Sequence, residues 1–546
     1  MEKKKRPRMI KITKTEIIIL IVVYLFALFL WTLPFQDQSI PYGEGDASIN
    51  FFLSNHMFST DKPMVYVPNA TSVLGISSQS EDYAKVNPNN YLFYAPQFHT
   101  NFAVMQIIGN NAIIGFYLYL AIICSSIFFT VYFLMRGLYG PITGLLSGFL
   151  MIFSVRDQLS YIWGQWGTAF TFLFIPLVLY TYYKYSSSVI EKKEKPIYAY
   201  ILALLLVFQF LFHPLGFFIG GGMIAVYTVL LAIKEKTIPF NYKKVLICVL
   251  IFMVLVPLFE PLMIKQLSGR LDIDINSMQE DTTEKAGFFA RLFGWYNIPG
   301  GGHGVPDFYF SFKNIYYGYW MLPFLLIGIA YLALNRTNKD LLILSTLIGF
   351  YIITHLDLVG ILLGGKYPRI FYFESIMFYP IIALGVTKLT SFIKFKGNVI
   401  LKYAIIAGFV IAVLMINVKT SYPFFNTAYD GIGRLNDVEM QGAAWINENI
   451  PKNSYIMLVG APTFKQQAWL QAMIPEKVIV FDENQIVPSK DKDLNKTTYL
   501  IMDYSFFYLY NDQQGIAALA ALEQNMTKED NLKYNIKEQF KVFKLG

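Results

Sequence analysis

Residues able to do acid–base or ion-pairing chemistry fall into a few short polar segments between long apolar runs. The first segment offers Asp37 and then Gly43-Glu44-Gly45-Asp46-Ala47. Glycines on both sides of Glu44 let the backbone turn sharply and expose Asp46 near a membrane surface. A second segment offers Arg156 and Asp157, followed by the aromatic run Tyr161-Ile162-Trp163-Gly164-Gln165-Trp166, whose rings can stack on a sugar ring or an isoprenoid chain. His213-Pro214 is a third, reading as a hairpin between two apolar runs. Glu260 stands between Phe259 and Pro261, ahead of Arg270, Asp272, Asp274, Glu280, Asp281 and the glycine-rich Gly300-Gly301-Gly302-His303-Gly304. The last segment is Lys366-Tyr367-Pro368-Arg369. Charges are expensive at membrane depth, so ionisable groups in loops and at helix ends are the first functional candidates.

Each has a plain structural alternative. Asp46 is a favoured N-cap for the helix that residues 47–57 predict. Arg156 and Asp157 can pair with each other. His213 reads as a hairpin residue before it reads as a ligand. The glycine run reads as a flexible loop, because no strand and following helix frame it as a phosphate loop requires. Lys366, Arg369 and the aromatic run suit anchoring at a membrane interface. Clustering carries more weight than any single residue: five segments bring carboxylates and cations to one side of the chain. A pore would line its length with polar residues, and the opposite side offers mainly solvated lysines.

What positions these segments is a membrane-embedded chain. Of 546 residues, 55% are hydrophobic and 15% charged, against about 25% charged in soluble proteins. The net charge of +8 does not mark a nucleic-acid binder, because Lys and Arg lie in short gaps between apolar runs rather than on a soluble basic surface. Cys124 and Cys248 sit inside apolar runs and predict neither a disulfide framework nor a metal site. The five histidines form no His-Glu-x-x-His pair.

A helix needs about 20 mostly apolar residues to cross the hydrocarbon. Candidate spans are 17–33, 112–134, 142–155, 168–183, 196–212, 217–233, 245–264, 318–334, 341–353, 371–386 and 399–418, about eleven in all, the third and ninth being short. Residues 1–16 carry Lys3, Lys4, Lys5, Arg6, Arg8, Lys11 and Lys14, which places them in the cytoplasm. Every inside turn then holds a basic residue: Arg136; Lys184, Lys192, Lys193 and Lys195; Lys234, Lys236, Lys243 and Lys244; Arg336 and Lys339; Lys388, Lys394, Lys396 and Lys402. Trp31-Thr32-Leu33-Pro34-Phe35 offers no small-x-small cleavage site, so the first span reads as a retained anchor.

The reading is therefore an α-helical transmembrane bundle over 17–418 with external loops at 34–111 and 265–317. The tail, 419–546, changes character and reads as an external soluble α/β domain. Helices are expected at 437–449, 464–473 and 515–524, and strands at 455–459, 478–481, 498–502 and 534–543.

With these segments in place, the chain resembles the GT-C superfamily of polytopic membrane glycosyltransferases. The resemblance lies in Gly45-Asp46 directly after the first anchor, and in Asn90-Tyr91-Leu92-Phe93-Tyr94-Ala95-Pro96-Gln97-Phe98-His99, which is similar to a Tyr-Pro-Pro-Leu-x-His pattern. It lies also in Asp157 after the third span, in Pro368-Arg369-Ile370-Phe371 followed by Pro380 and Ala383, and in Ala444-Trp445-Ile446-Asn447-Glu448-Asn449-Ile450-Pro451. Two departures bear on the acceptor: the tail has no Trp-Trp-Asp sequence, which disfavours an oligosaccharyltransferase catalytic subunit, and Asp46 is followed by Ala47 rather than Glu.

The resemblance implies a GT-C-like fold in the cytoplasmic membrane and inverting transfer from a polyprenyl-phosphate- or polyprenyl-diphosphate-linked sugar to an external acceptor, whether glycan, lipid or protein. It makes Asp46 the base, with Asp157 a second catalytic carboxylate. Arg369 would grip the donor phosphate, with Lys366 and Arg156 beside it. Glu44, His99, Trp163, Trp166, His213, Glu260 and His303 become candidates for lining the site. A divalent cation such as magnesium or manganese, if used, would sit on Asp46 and Asp157. Two other readings stand beside this one: a GT-C-like assembly or binding subunit without catalysis, and a transporter of a lipid-linked substrate. Transport is disfavoured because the strong spans hold almost no charged side chains.

Overall fold

The computed structural model describes residues 12–36, 41, 43, 45–60, 96–152, 164, 166–259, 319–355, 373–392, 399–419, 435–452, 454–460, 464–480, 497–526 and 531–545. Thr13 and Glu16 start the first helix as a capping box: Thr13 Oγ1 accepts the Glu16 N–H at 3.2 Å and the Glu16 carboxylate accepts the Thr13 N–H at 3.3 Å. The helix, α1 (Lys14–Gln36), is followed by α2 (Gly45–Thr60), α3 (Pro96–Gly109), α4 (Ala112–Tyr139), α5 (Pro141–Ile152) and α6 (Trp166–Ile190). Then come α7 (Pro196–Phe212), α8 (Pro214–Glu235) and α9 (Tyr242–Phe259). A short 3-10 turn, Tyr319–Met321, leads into α10 (Leu322–Asn335), and α11 (Asn338–His355), α12 (Glu374–Phe392) and α13 (Val399–Lys419) complete the apolar part.

Four of the described helices are long and apolar enough to cross a membrane: Lys14–Leu33, Ala112–Tyr139, Pro214–Glu235 and Tyr242–Phe259. Shorter apolar helices run over Pro141–Ile152, Pro196–Phe212, Tyr319–Asn335, Ser375–Ser391 and Ile400–Ile416. The chain is a multi-pass membrane protein. Length alone does not reach eleven crossings among the described residues. Helix α5, expected to span 142–155, has 12 described residues, and the last three residues of that expected span lie outside the described residues.

Arg136, expected in an inside turn, lies within α4 and is 8% exposed. Its Nη2 donates to Glu16 Oε2 at 3.0 Å, and Tyr132 donates to the same carboxylate. The positive charge is thus spent on a buried tie between α1 and α4 rather than on a solvated turn. Around this tie α4 packs on α3, α5 and α6, α8 packs on α11, and α10 packs on α12. The last pair is close: a Cβ on Gly385 would lie 1.9 Å from the Phe324 carbonyl oxygen, and one on Gly328 would lie 2.3 Å from that of Ile381. Small residues let membrane helices approach to this degree. Helix α9 packs on α7 and leaves Leu246, Leu250, Met253, Val254 and Leu258 exposed, a surface suited to lipid tails.

After these helices come α14 (Asp437–Asn449), β1 (Tyr455–Val459), α15 (Phe464–Met473), β2 (Val478–Val480), β3 (Thr497–Asp503), α16 (Ser505–Leu509), α17 (Gln513–Met526), β4 (Leu532–Ile536) and β5 (Phe540–Lys544). The strands form one sheet in the order β2-β1-β3-β5-β4, with β1 parallel to β2 and β3 and the last two strands antiparallel. The single closing strand expected over 534–543 is a hairpin. Lys537 and Glu538 turn it at φ of 53° and 55°, the positive pair that a tight hairpin turn needs. Neither residue is the Gly or Asn that would have announced a turn. One face of the sheet presents Ile456, Leu458, Ile479, Ile501, Phe540 and Val542 to α14 and α15, in a core continuous with that of the apolar bundle. The other face packs Met457, Val459, Leu500, Met502 and Phe543 with Leu519 of α17.

Two carboxyls are buried together on the first face. Glu439 belongs to the capping box of α14, where it accepts the Asn436 N–H at 2.6 Å. Asp503 ends β3 and accepts from the Ser505 N–H at 2.9 Å and the Ser505 hydroxyl at 2.6 Å. Burial, and then the Asp503 carboxyl beside it, hold Glu439 well above the usual carboxylate range, and burial raises Asp503 too. The folded protein therefore holds a proton that the unfolded chain releases at about pH 4.3. This stabilising contribution is complete below the unfolded value and is lost as pH rises through the folded one. The unfolding midpoint of the purified full chain, followed by tryptophan fluorescence, is expected to fall across that window by about 2–4 °C per kcal/mol lost. Glu439→Gln, which keeps the shape without the proton, is expected to flatten the slope; an unchanged slope would remove this pair as its cause.

Candidate active site

The site is built around the first turn of α2. Gly43 enters it at φ 128°, a conformation open to glycine and strained for other residues. The Gly43 carbonyl accepts a hydrogen bond of 2.8 Å from Trp469 Nε1 of α15. The helix begins at Gly45, so Asp46 is inside the first turn rather than at the N-cap that was the structural alternative for it. The backbone of Asp46 is described; its side chain is not.

Gly164 approaches this turn from the segment between α5 and α6. Its φ is 74°, and a Cβ there would lie 2.0 Å from the Ala47 nitrogen. Only glycine fits such an approach. One turn after Asp46, Asn50 uses both ends of its amide. Its Nδ2 donates to the Gly164 carbonyl at 2.8 Å, and its Oδ1 faces His99 Nε2 at 2.9 Å. Because Asn50 Oδ1 accepts, His99 carries its proton on Nε2 toward it. His99 is 1% exposed, in the first turn of α3.

Aromatic side chains fix these helix starts against one another. Phe98 lies edge-on to Phe170 at 5.2 Å between ring centres, and Phe102 stacks on Phe116 at 4.2 Å. Trp166, read as part of an interface belt, is fully buried at 0% exposure, 5.0 Å from Phe116. His213 sits between α7 and α8, and its Nδ1 accepts the Leu215 N–H at 3.2 Å as the cap of α8. It adjoins the start of α6, where a Cβ on Gly167 would lie 3.2 Å from its Cδ2.

Helix α15 closes the far side of α2. Phe51 meets Trp469 at 5.8 Å, Asn55 Nδ2 donates to the Ala472 carbonyl at 2.9 Å, and His56 Nδ1 donates to that of Pro475 at 3.2 Å. Burial pushes His56 below its ordinary pKa, opposed by the Pro475 carbonyl and the Glu476 charge. The sheet-bearing part of the chain is thus seated on the helix that carries Asp46.

Of the residues picked from sequence, His99 is bonded to Asn50, one turn along α2 from Asp46, while Trp166 and His213 stand in the adjoining helix starts. Glu44, Arg156, Asp157, Trp163, Glu260, His303, Lys366 and Arg369 lie outside the described residues. Among the described residues, no three His, Cys, Asp or Glu gather as a metal site would require. Asn50, Gly164 and Trp469 were missed. Gly164 between two tryptophans was the available hint of a close backbone approach; Asn50 and Trp469 carry no local signal.

No protein-family model and no curated protein matches the chain. Solved structures match its fold. The apo oligosaccharyltransferase of Archaeoglobus fulgidus aligns with a TM-score of 0.54 at 14% identity, over 90% of this chain and 70% of that one. ArnT from Cupriavidus metallidurans in the apo state aligns with a TM-score of 0.56 at 10% identity, over 96% and 97%. The same ArnT bound to undecaprenyl phosphate gives 0.52 at 10% identity, over 97% and 98%. At such identities the likeness is one of fold, shared with the Archaeoglobus fulgidus oligosaccharyltransferase and with ArnT.

Proposed function

We propose that this chain is an integral membrane glycosyltransferase that moves a sugar from a polyprenyl-phosphate- or polyprenyl-diphosphate-linked donor to an acceptor outside the cytoplasm, with inversion at the anomeric carbon. The observation that carries the reading is the construction of the first turn of α2. On a GT-C fold, the turn that holds Asp46 is gripped by Gly164, by His99 through Asn50, and by Trp469 through Gly43. Three parts of the chain distant in sequence converge on one short turn with a carboxylate in it. The undecaprenyl phosphate bound by the similarly folded ArnT supports a lipid-phosphate donor.

In this reading the protein sits in the cell membrane with its basic N-terminus in the cytoplasm and its sheet outside. Asp46 removes the proton from the acceptor hydroxyl as that oxygen attacks the anomeric carbon. The new carbon–oxygen bond forms opposite the bond to phosphate, whose electron pair leaves with the lipid phosphate. Arg369, with Lys366 and Arg156, offsets the charge on that leaving group. Asp46 and Asp157 are hard oxygen donors of the kind magnesium and manganese choose, and such an ion held there would add charge neutralisation at the phosphate.

The test is donor consumption. Purified protein in detergent or vesicles, given polyprenyl-phosphate sugars and a crude extracytoplasmic acceptor fraction, is expected to release free polyprenyl phosphate, and Arg369→Ala is expected to slow that release. Donors that are bound and never consumed would turn the reading toward an assembly subunit.

A further inference from the structure

We propose that His99, acting through Asn50, is a positioning residue that holds the first turn of α2, and so the backbone from which Asp46 extends, in its working orientation. This rests on the reading of Asp46 as the base.

Asn50 follows Asp46 by four residues, and in an α-helix the N–H of such a residue bonds the carbonyl one turn back. Any tilt of Asn50 is therefore passed to Asp46 through the helix itself. The Asn50 side chain is held at both ends, Nδ2 on the Gly164 carbonyl at 2.8 Å and Oδ1 on His99 Nε2 at 2.9 Å. An amide so held has one orientation, because reversing it would set its oxygen against the Gly164 carbonyl oxygen. His99 and Asn50 are both buried, so water does not replace a lost partner at full strength. Gly164 adds the steric half of the clamp, its Cα lying against Ala47 where a Cβ could not. His99 thus locks the amide, the amide locks Gly164 to α2, and Gly164 sets where the turn begins. The histidine is needed as an N–H donor of fixed reach. Its role is distinct from proton transfer to substrate.

The experiment compares His99→Phe, which keeps a flat ring and removes the donor, with His99→Gln, which keeps an N–H near the same reach. In the donor-consumption assay His99→Phe is expected to lower kcat by roughly 10²-fold with the donor KM unchanged, the scale of a small misplacement of a reacting group. His99→Gln is expected to restore most of that loss. Amide hydrogen exchange over residues 45–50 of the full chain is measured in parallel and is expected to quicken in the Phe variant but not in the Gln variant. Unchanged exchange in His99→Phe would overturn the proposal, as would a Gln variant as slow as the Phe variant. Asp46→Asn is run beside them. If it keeps full turnover, the reading of the base fails; the exchange result then still decides whether His99 holds the turn.

Discussion

Asp46→Asn is expected to lower sugar transfer by about 10²–10⁴-fold, the usual contribution of a placed general base. The amide has the size of the carboxylate and keeps an acceptor oxygen, so the first turn of α2 should still form between Gly43 and Gly164. What it loses is the ability to take a proton at neutral pH. Binding of the lipid donor, measured by equilibrium retention of a labelled polyprenyl-phosphate sugar, is expected to hold, while release of polyprenyl phosphate from the sugar donor collapses. A variant that turns over at the parent rate would move the base elsewhere, with Asp157 the next residue to replace. A variant that loses donor binding as well would make Asp46 part of the phosphate site.

The second large effect concerns stability. Arg136→Met is expected to destabilise the bundle by about 3–5 kcal/mol, because it leaves a buried carboxylate without its guanidinium. Glu16 would keep the Tyr132 hydroxyl and the Thr13 N–H as partners and would lose the guanidinium that holds both of its oxygens. Glu16→Leu combined with Arg136→Met removes both charges, and the double variant is expected to recover most of the loss, as apolar replacement of a buried pair generally does. Thermal unfolding of the four proteins of this cycle checks it. Losses that simply add would mean the two residues act independently.

Local signals carried much of the fold. Helices α14 and α15 and strand β1 end on the residues read from sequence, because their limits are written in adjacent positions: Asn436 with Glu439 as a capping box, Pro451 as a stop, and β-branched or apolar runs between. Arg136 was misplaced for the opposite reason. Its partner is 120 residues away, and a lone arginine at the end of an apolar run looks the same whether it caps a solvated turn or meets a carboxylate. Trp166 was misjudged likewise, since an aromatic next to polar residues signals an interface until its packing partners are known. In the candidate site, Asp46 stood out through the glycines on both sides of Glu44 just before it. Asn50 and Trp469 did not, because their contacts reach across 114 and 426 positions, and nothing near either residue encodes them.

The seat of α15 on α2 has a consequence for how the protein is made. Trp469 follows Gly43 by 426 residues, an interval of roughly 20–85 s at ordinary translation rates of about 5–20 residues per second. Throughout that interval Phe51, Asn55 and His56 lack the partners supplied by α15 and the residues just after it. The bundle can assemble while its working turn is still held on one side only. Docking of α15 therefore comes after the helices that precede it are made, and a product cut short before α15 is expected to lack the bond from Trp469 to the Gly43 carbonyl.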